Sequence, residues 1–199
     1  MSLIATASGR YFDKQFGREA IKLLPGEYQA LAGSGLLVTL LGSCVAVCLM
    51  DRQARVSGMN HFLLPEGSSD WSGSAEPARF GVHAMELLIT DMQKLGAQRH
   101  RLQAKVFGAG NMLEGMSVVN IGERNTDFIR SYLATEQIPV LAEDLLGNYA
   151  RKVYFFTDSG KVMVKKLKHS ATLEQEERAY RQRLHQPEEQ PGGDIDLFI

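Results

Sequence analysis

The segment Thr39-Leu40-Leu41-Gly42-Ser43-Cys44 places a thiol directly after a Gly-Ser pair, between the apolar runs Leu36–Leu41 and Val45–Met50. A cysteine on such a loop can sit among backbone N–H groups that point at a ligand, and those groups can cradle a developing oxyanion. If a helix starts there, its dipole and free N–H groups favour thiolate over thiol. The opposing reading is a small buried residue, since free cysteine is among the most buried types. Cys48 forms C-x3-C with Cys44, not the C-x2-C of zinc knuckles or thioredoxin-type sites. The chain has only 2 cysteines, so no second pair completes a metal site, and Cys48 reads as core.

A nucleophilic thiol needs a base. Of the 5 histidines, His61 stands in the apolar stretch Gly58–Pro65, where an imidazole is costly unless hydrogen-bonded. The polar turn Asp51–Ala54 joins the run Val45–Met50 to Arg55–Leu64, and antiparallel pairing across it returns His61 to the side of Cys44. A satisfied core histidine is the alternative. His100 and His185 lie among charged neighbours and read as solvated; His83 opens a helix, and His169 follows a basic strand. Gly108-Ala109-Gly110 follows a strand but lacks the rest of G-x-G-x-x-G and a Walker lysine. Gly122-Glu123-Arg124-Asn125 reads as a turn and helix cap. Lys161, Lys165, Lys166 and Lys168 read as the solvated face of a strand.

The elements that must position these residues follow from periodicity. Residues 1–25 are mixed and aperiodic, and a loose start is expected. Leu36–Leu41 is a strand; Val45–Met50 is a strand or a helix start; Arg55–Leu64 is a strand stopped by Pro65. The Gly-, Ser- and Pro-containing stretch Glu66–Ala78, with Trp71, reads as an exposed loop. Met85, Leu88, Ile89, Met92 and Leu95 form a helical stripe that Gly96 ends. Gln103–Phe107 is a strand, Asn125–Glu136 a second amphipathic helix, Ile138–Ala142 a strand, and Val153–Phe156 with Val162–Leu167 a hairpin. Without a regular βαβα rhythm, the pattern predicts a mixed α/β (α+β) layered fold.

The chain has 199 residues, 22 Lys+Arg against 23 Asp+Glu, and a net charge of -1. That length suits one domain with a tail and buries enough surface to need no disulfide or metal staple. The charge balance argues against a nucleic-acid binder that works by bulk basicity. No apolar run approaches a membrane span, the N-terminus does not read as a signal peptide, and a cytoplasmic protein with reduced thiols is expected. From Ser170 the composition shifts: Ser170–Ile199 holds seven acidic and three basic residues, while the preceding part carries a small positive surplus. The division expected is a domain over 1–169 and an acidic tail over 170–199, with a polar helix at Leu173–Leu184, a linker at Pro187–Gly193 and an apolar end. The tail is expected to modulate or dock, on its own body or on a partner, rather than to catalyse.

Leu41-Gly42-Ser43-Cys44-Val45-Ala46-Val47-Cys48 followed by His61-Phe62-Leu63-Leu64-Pro65 resembles the CheD family, the chemoreceptor glutamine deamidases of bacterial chemotaxis. The likeness continues through Gly108–Met112, Asn120–Asn125, Ala142–Asn148 and the hairpin Val153–Leu167, and covers about Pro25 to Leu167. The resemblance implies a cysteine nucleophile, a histidine base and a threonine upstream of the cysteine loop, which are Cys44, His61 and Thr39 here; the chemistry of such a site makes the N–H groups of the Gly42-Ser43 loop the expected oxyanion donors. It implies a layered β-sandwich with flanking helices, similar to the catalytic domain of cytotoxic necrotizing factors.

The implied activity is deamidation of glutamine in the helical cytoplasmic region of methyl-accepting receptors through a cysteine thioester, with methyl-glutamate hydrolysis as a side activity. No metal or cofactor is required, and no nucleic acid or membrane insertion is implied. The implied protein partner is a CheC-type phosphatase, and a regulatory binding module for it is the alternative function. An unrelated cysteine hydrolase acting on small amides is a third reading.

Overall fold

The computed structural model describes residues 5–7, 9–64, 75–111, 121–167 and 171–184. Two mixed β-sheets stack face to face, and two helices cover the outer face of the larger one. The strands are β1 (Ala5–Thr6), β2 (Gly9–Asp13), β3 (Arg18–Leu23), β4 (Glu27–Ala32), β5 (Leu36–Leu41), β6 (Val45–Asp51), β7 (Val56–Phe62), β8 (Gln103–Gly108), β9 (Val140–Leu145), β10 (Ala150–Phe156) and β11 (Lys161–Leu167). The helices are α1 (Ala75–Lys94), α2 (Ile121–Thr135) and α3 (Ala171–Leu184). The larger sheet runs β1-β4-β7-β6-β8-β9 and the smaller β11-β10-β5-β3-β2. Among the described residues, no helix is long and apolar enough to cross a membrane.

Strand alternation sorts the central residues into two layers. Val45, Val47, Leu49, Val56 and Phe62 face α1 and α2, where Met85, Leu88, Ile89, Met92, Phe128, Ile129 and Leu133 complete one core. Cys44, Ala46, Cys48, Met50, Met59 and Leu63 face the second sheet and meet Ile21, Leu23, Leu37, Leu41, Val153 and Phe155. β6 and β7 are therefore buried on both faces, which explains their near-continuous apolar character. Gly96, at φ +101, ends α1 as its position after the helical stripe predicts.

Several expectations need correction. The start is not loose from Ala5 onward, because β1–β3 occupy it. β2 lies at a sheet edge with four of its five residues exposed, and β3 mixes charges into a half-buried strand, so neither shows clean alternation. α1 begins at Ala75, inside the stretch expected to be loop, and an exposed His83 sits within it rather than at its start. α2 begins at Ile121, so Gly122–Asn125 are helical rather than a turn and cap. The strand expected at Ile138–Ala142 runs instead from Val140 to Leu145. Val45 opens a strand, not a helix, which removes the dipole from the account of Cys44. His169, Lys168, His185, Trp71 and the linker and apolar end after residue 184 lie outside the described residues.

Candidate active site

β5 belongs to the smaller sheet and β6 to the larger, so Gly42-Ser43-Cys44 carries the chain across from one to the other. Each carbonyl of this crossing is held. Gly110 N–H donates to Gly42 O at 2.7 Å, Asn125 Nδ2 to Ser43 O at 3.0 Å, and Ala109 N–H to Cys44 O at 2.7 Å. The close approach dictates glycine at Gly108, which sits at φ +113 with the position of a Cβ only 2.2 Å from Cys44 O. Gly108-Ala109-Gly110 is therefore a buttress for the cysteine loop.

Asn125, the Leu146-Gly147 turn and Arg151 converge on the same loop. Asn125 also accepts from Leu64 N–H at 3.0 Å, tying the end of the His61 segment to Ser43 through one buried amide. Leu146 N–H donates to Gly108 O at 3.0 Å and Asn111 N–H to Gly147 O at 2.7 Å. Arg151, fully buried, donates to Asp144 Oδ1 at 2.8 Å and to Leu146 O, and its guanidinium lies over the Tyr149 ring. The Arg151 hydrogen bond holds the Asp144 carboxyl below the usual carboxylate range despite its partial burial.

His61 pairs with Ala46 in the β6–β7 ladder. Its side chain therefore faces the smaller sheet, on the same side as Cys44, a diagonal neighbour two residues before Ala46 at the entry to β6. Such diagonal pairs lie within reach of long or aromatic side chains. Thr39 approaches from β5, its Oγ1 2.8 Å from His61 Nδ1 and 2.9 Å from Leu23 O. The carbonyl can only accept, so the single hydroxyl proton goes to Leu23 O and Thr39 Oγ1 accepts from Nδ1–H. That assigns the tautomer: Nε2 carries the lone pair, and no hydrogen-bond partner engages it among the described residues. Burial lowers the His61 pKa below the ordinary imidazole value, against the raising effects of Glu177 and Leu23 O, so the ring is neutral near pH 7. The structure thus brings together Thr39, His61 and the Gly42–Cys44 crossing. Cys48 is fully buried, and desolvation pushes its thiol pKa far up.

One participant had no marker in the sequence beyond the acidic surplus of its segment. Glu177 of α3 accepts from Gly42 N–H at 2.8 Å and Cys44 N–H at 3.3 Å through Oε1, and from Ser43 N–H at 3.1 Å and Ser43 Oγ at 2.8 Å through Oε2. Burial pushes this carboxyl up, but the donors of Ser43, Gly42 and Cys44 outweigh it and keep the pKa lowered. Sequence reasoning also missed Asn125, which it read as part of a turn and helix cap, and Arg151, which it did not single out and which lies just before the strand expected from Val153.

A thiol, a neutral imidazole and convergent amide donors at strand ends form the kind of site that acyl-transfer hydrolases use. Residues 63–166 match the family model described as CheD chemotactic sensory transduction. Over 193 residues, 96% of each chain, this protein is 66% identical to the "Probable chemoreceptor glutamine deamidase CheD 2" of Chromobacterium violaceum. It is 55% identical over 192 residues to the "Probable chemoreceptor glutamine deamidase CheD" of Laribacter hongkongensis, covering 94% of this chain and 92% of that one. The chain belongs to the CheD family.

Proposed function

We propose that this protein is a chemoreceptor glutamine deamidase in which Cys44 is the nucleophile, His61 the base and Thr39 the residue that orients it. The observation that carries the reading is the Thr39–His61 contact, which leaves a neutral imidazole nitrogen available on the sheet face it shares with Cys44. Nε2 takes the Cys44 proton and Sγ attacks the side-chain carboxamide carbon of a receptor glutamine. The amide donors at Gly42–Cys44 hold the oxyanion. Collapse expels ammonia, which leaves with the proton from His61, and a γ-glutamyl thioester remains. His61 then activates water, which hydrolyses the thioester to glutamate and restores the thiol. A methyl ester presents the same carbonyl, so methyl-glutamate hydrolysis is the side activity this chemistry allows.

The substrate in this reading is the helical cytoplasmic region of methyl-accepting receptors. The family resemblance adds a CheC-type phosphatase as partner. The domain division in this reading is a catalytic body over 1–169 and a regulatory tail over 170–199.

The test is mass spectrometry of a receptor cytoplasmic fragment, where each Gln→Glu conversion adds about one dalton as amide becomes acid. Conversion by the native chain and none by Cys44→Ala is the expected result. Conversion by Cys44→Ala at the native rate overturns the assignment.

A further inference from the structure

Glu177 satisfies amide donors that the reaction itself needs. The oxygen of a tetrahedral intermediate at Cys44 has to sit on the donors of Gly42–Cys44, yet both carboxylate oxygens of Glu177 already occupy them. A carboxylate and an oxyanion cannot share those N–H groups, so a permanently docked α3 is incompatible with turnover. The resident side chain is also chemically pointed: glutamate is what glutamine becomes after deamidation.

The rest of α3 fits the same description. Glu177 and Tyr180 stand at i and i+3 on one helical face, and both are buried. Gln175, Arg178 and Ala179 are exposed. Tyr180 enters the inter-sheet core, and its hydroxyl has no hydrogen-bond partner among the described residues. A tyrosine settled for stability alone would have its hydroxyl satisfied. Next to Glu177, Glu176 pairs with Lys22 of β3 at 2.9 Å. Lys22 is close enough to His61 to oppose protonation of its ring.

Resting on the reading of Cys44 as a glutamine-directed nucleophile, we propose that α3 is a built-in product mimic. Its seat is the groove for the substrate helix, and α3 must leave that groove before a receptor can be deamidated. Glu177 marks the target position. Lys22 selects an acidic residue immediately before the target, and the Tyr180 pocket takes a large apolar residue three positions after it. The occupant in turnover is therefore an acidic helix of a chemoreceptor.

The decisive experiment uses the full chain carrying Glu177→Gln. If α3 sits as product, the introduced glutamine is a substrate. Cys44 attacks its carboxamide carbon, ammonia leaves, and water hydrolyses the internal thioester, so the purified protein regains glutamate at 177. Peptide mass spectrometry reads this gain, and the double variant with Cys44→Ala keeps the glutamine. In parallel, Glu177→Ala is assayed on a receptor fragment. A docked-to-open ratio of about ten lowers the apparent rate about tenfold, so this variant turns the fragment over about tenfold faster.

Persistence of the introduced glutamine, in a preparation that deamidates the fragment, overturns the mimic and leaves the proposed function standing. Conversion at 177 with no action on the fragment supports the mimic and refutes the receptor reading. No conversion of either, in protein with native circular dichroism, overturns both. An unchanged rate for Glu177→Ala overturns the gate.

Discussion

Replacing Thr39 by valine keeps the branched shape and removes one oxygen, and the consequence follows from where its two hydrogen bonds go. Leu23 O loses its donor and His61 Nδ1–H its acceptor, both in a buried site. A buried polar group left without a partner costs about 1–3 kcal/mol. Two such groups total about 2 kcal/mol at the low end of that range, which lowers the Tm of a chain this size by about 4–8 °C. The catalytic effect is separate. The tautomer with the proton on Nδ1 loses the bond that favours it, and a neutral hydrogen bond of about 0.5–1.5 kcal/mol corresponds to about a 2- to 13-fold change in that population. The expectation is a kcat about tenfold lower with KM unchanged, because Thr39 touches the base and not the substrate. Initial rates of ammonia release from a receptor fragment measure both constants. Thr39→Ser restores the hydroxyl and with it most of kcat. If Thr39→Val keeps the native kcat, or if Thr39→Ser is as slow as Thr39→Val, Thr39 does not set the tautomer of His61.

Cys44→Ala gives folded protein without activity, His61→Ala lowers the rate by about 10²–10⁴, and Cys48→Ala retains most of it; an inactive Cys48→Ala beside an active Cys44→Ala would show that the wrong thiol was chosen. The pH–rate profile falls on its acid side as His61 protonates, with an inflection below the ordinary imidazole value of about 6.5 because burial lowers its pKa. Stability falls in the same direction. The unfolded chain binds the His61 proton first, so stability present above about pH 6.5 is lost as the pH drops toward the folded value. Glu177, its folded pKa also lowered, adds stability that is lost as it protonates; urea midpoints that rise on acidification would contradict both signs. Gly108→Ala forces a Cβ onto Cys44 O at an unfavourable φ, costs about 1–3 kcal/mol in strain, and lowers kcat because the buttress moves the thiol; a native-like rate would remove the buttress from the account.

How much of this was legible in the sequence depended on which contacts were local. β5, β6 and β7 showed themselves because both faces are buried and each ends at a turn residue. Pairing across Asp51–Ala54 then put His61 and Cys44 on one face by counting alone. Thr39 lies in the other sheet, and no spacing in the sequence states that two sheets will stack there. The resemblance named it; the packing explains it. β1 and β2 were invisible because edge strands expose polar residues without strict alternation, and β3, one strand in, mixes charges into a half-buried pattern. Asn125 read as a cap because an amide near a helix start usually is one, whereas here it spans two loops from inside the helix. Glu177 was one of seven acidic residues in a polar segment, and only its 134-residue reach to Ser43 distinguishes it.

The crossing from β5 to β6 is held by its carbonyls on one side and bound through its amides on the other, which gives hydrogen–deuterium exchange two separate readings of one turn. The amides of Ala109 and Gly110 are tied to the carbonyls of Cys44 and Gly42, inside the body. They exchange only when the sandwich itself opens. The amide of Gly42 is held by the Glu177 carboxylate, so it becomes labelled whenever α3 lifts. Local openings are ordinarily cheaper than global ones, so the protection of Gly42 reads the free energy of lifting α3, and its shortfall from that of Gly110 reads how much cheaper the lift is than opening the sandwich, both in the resting protein with no substrate present.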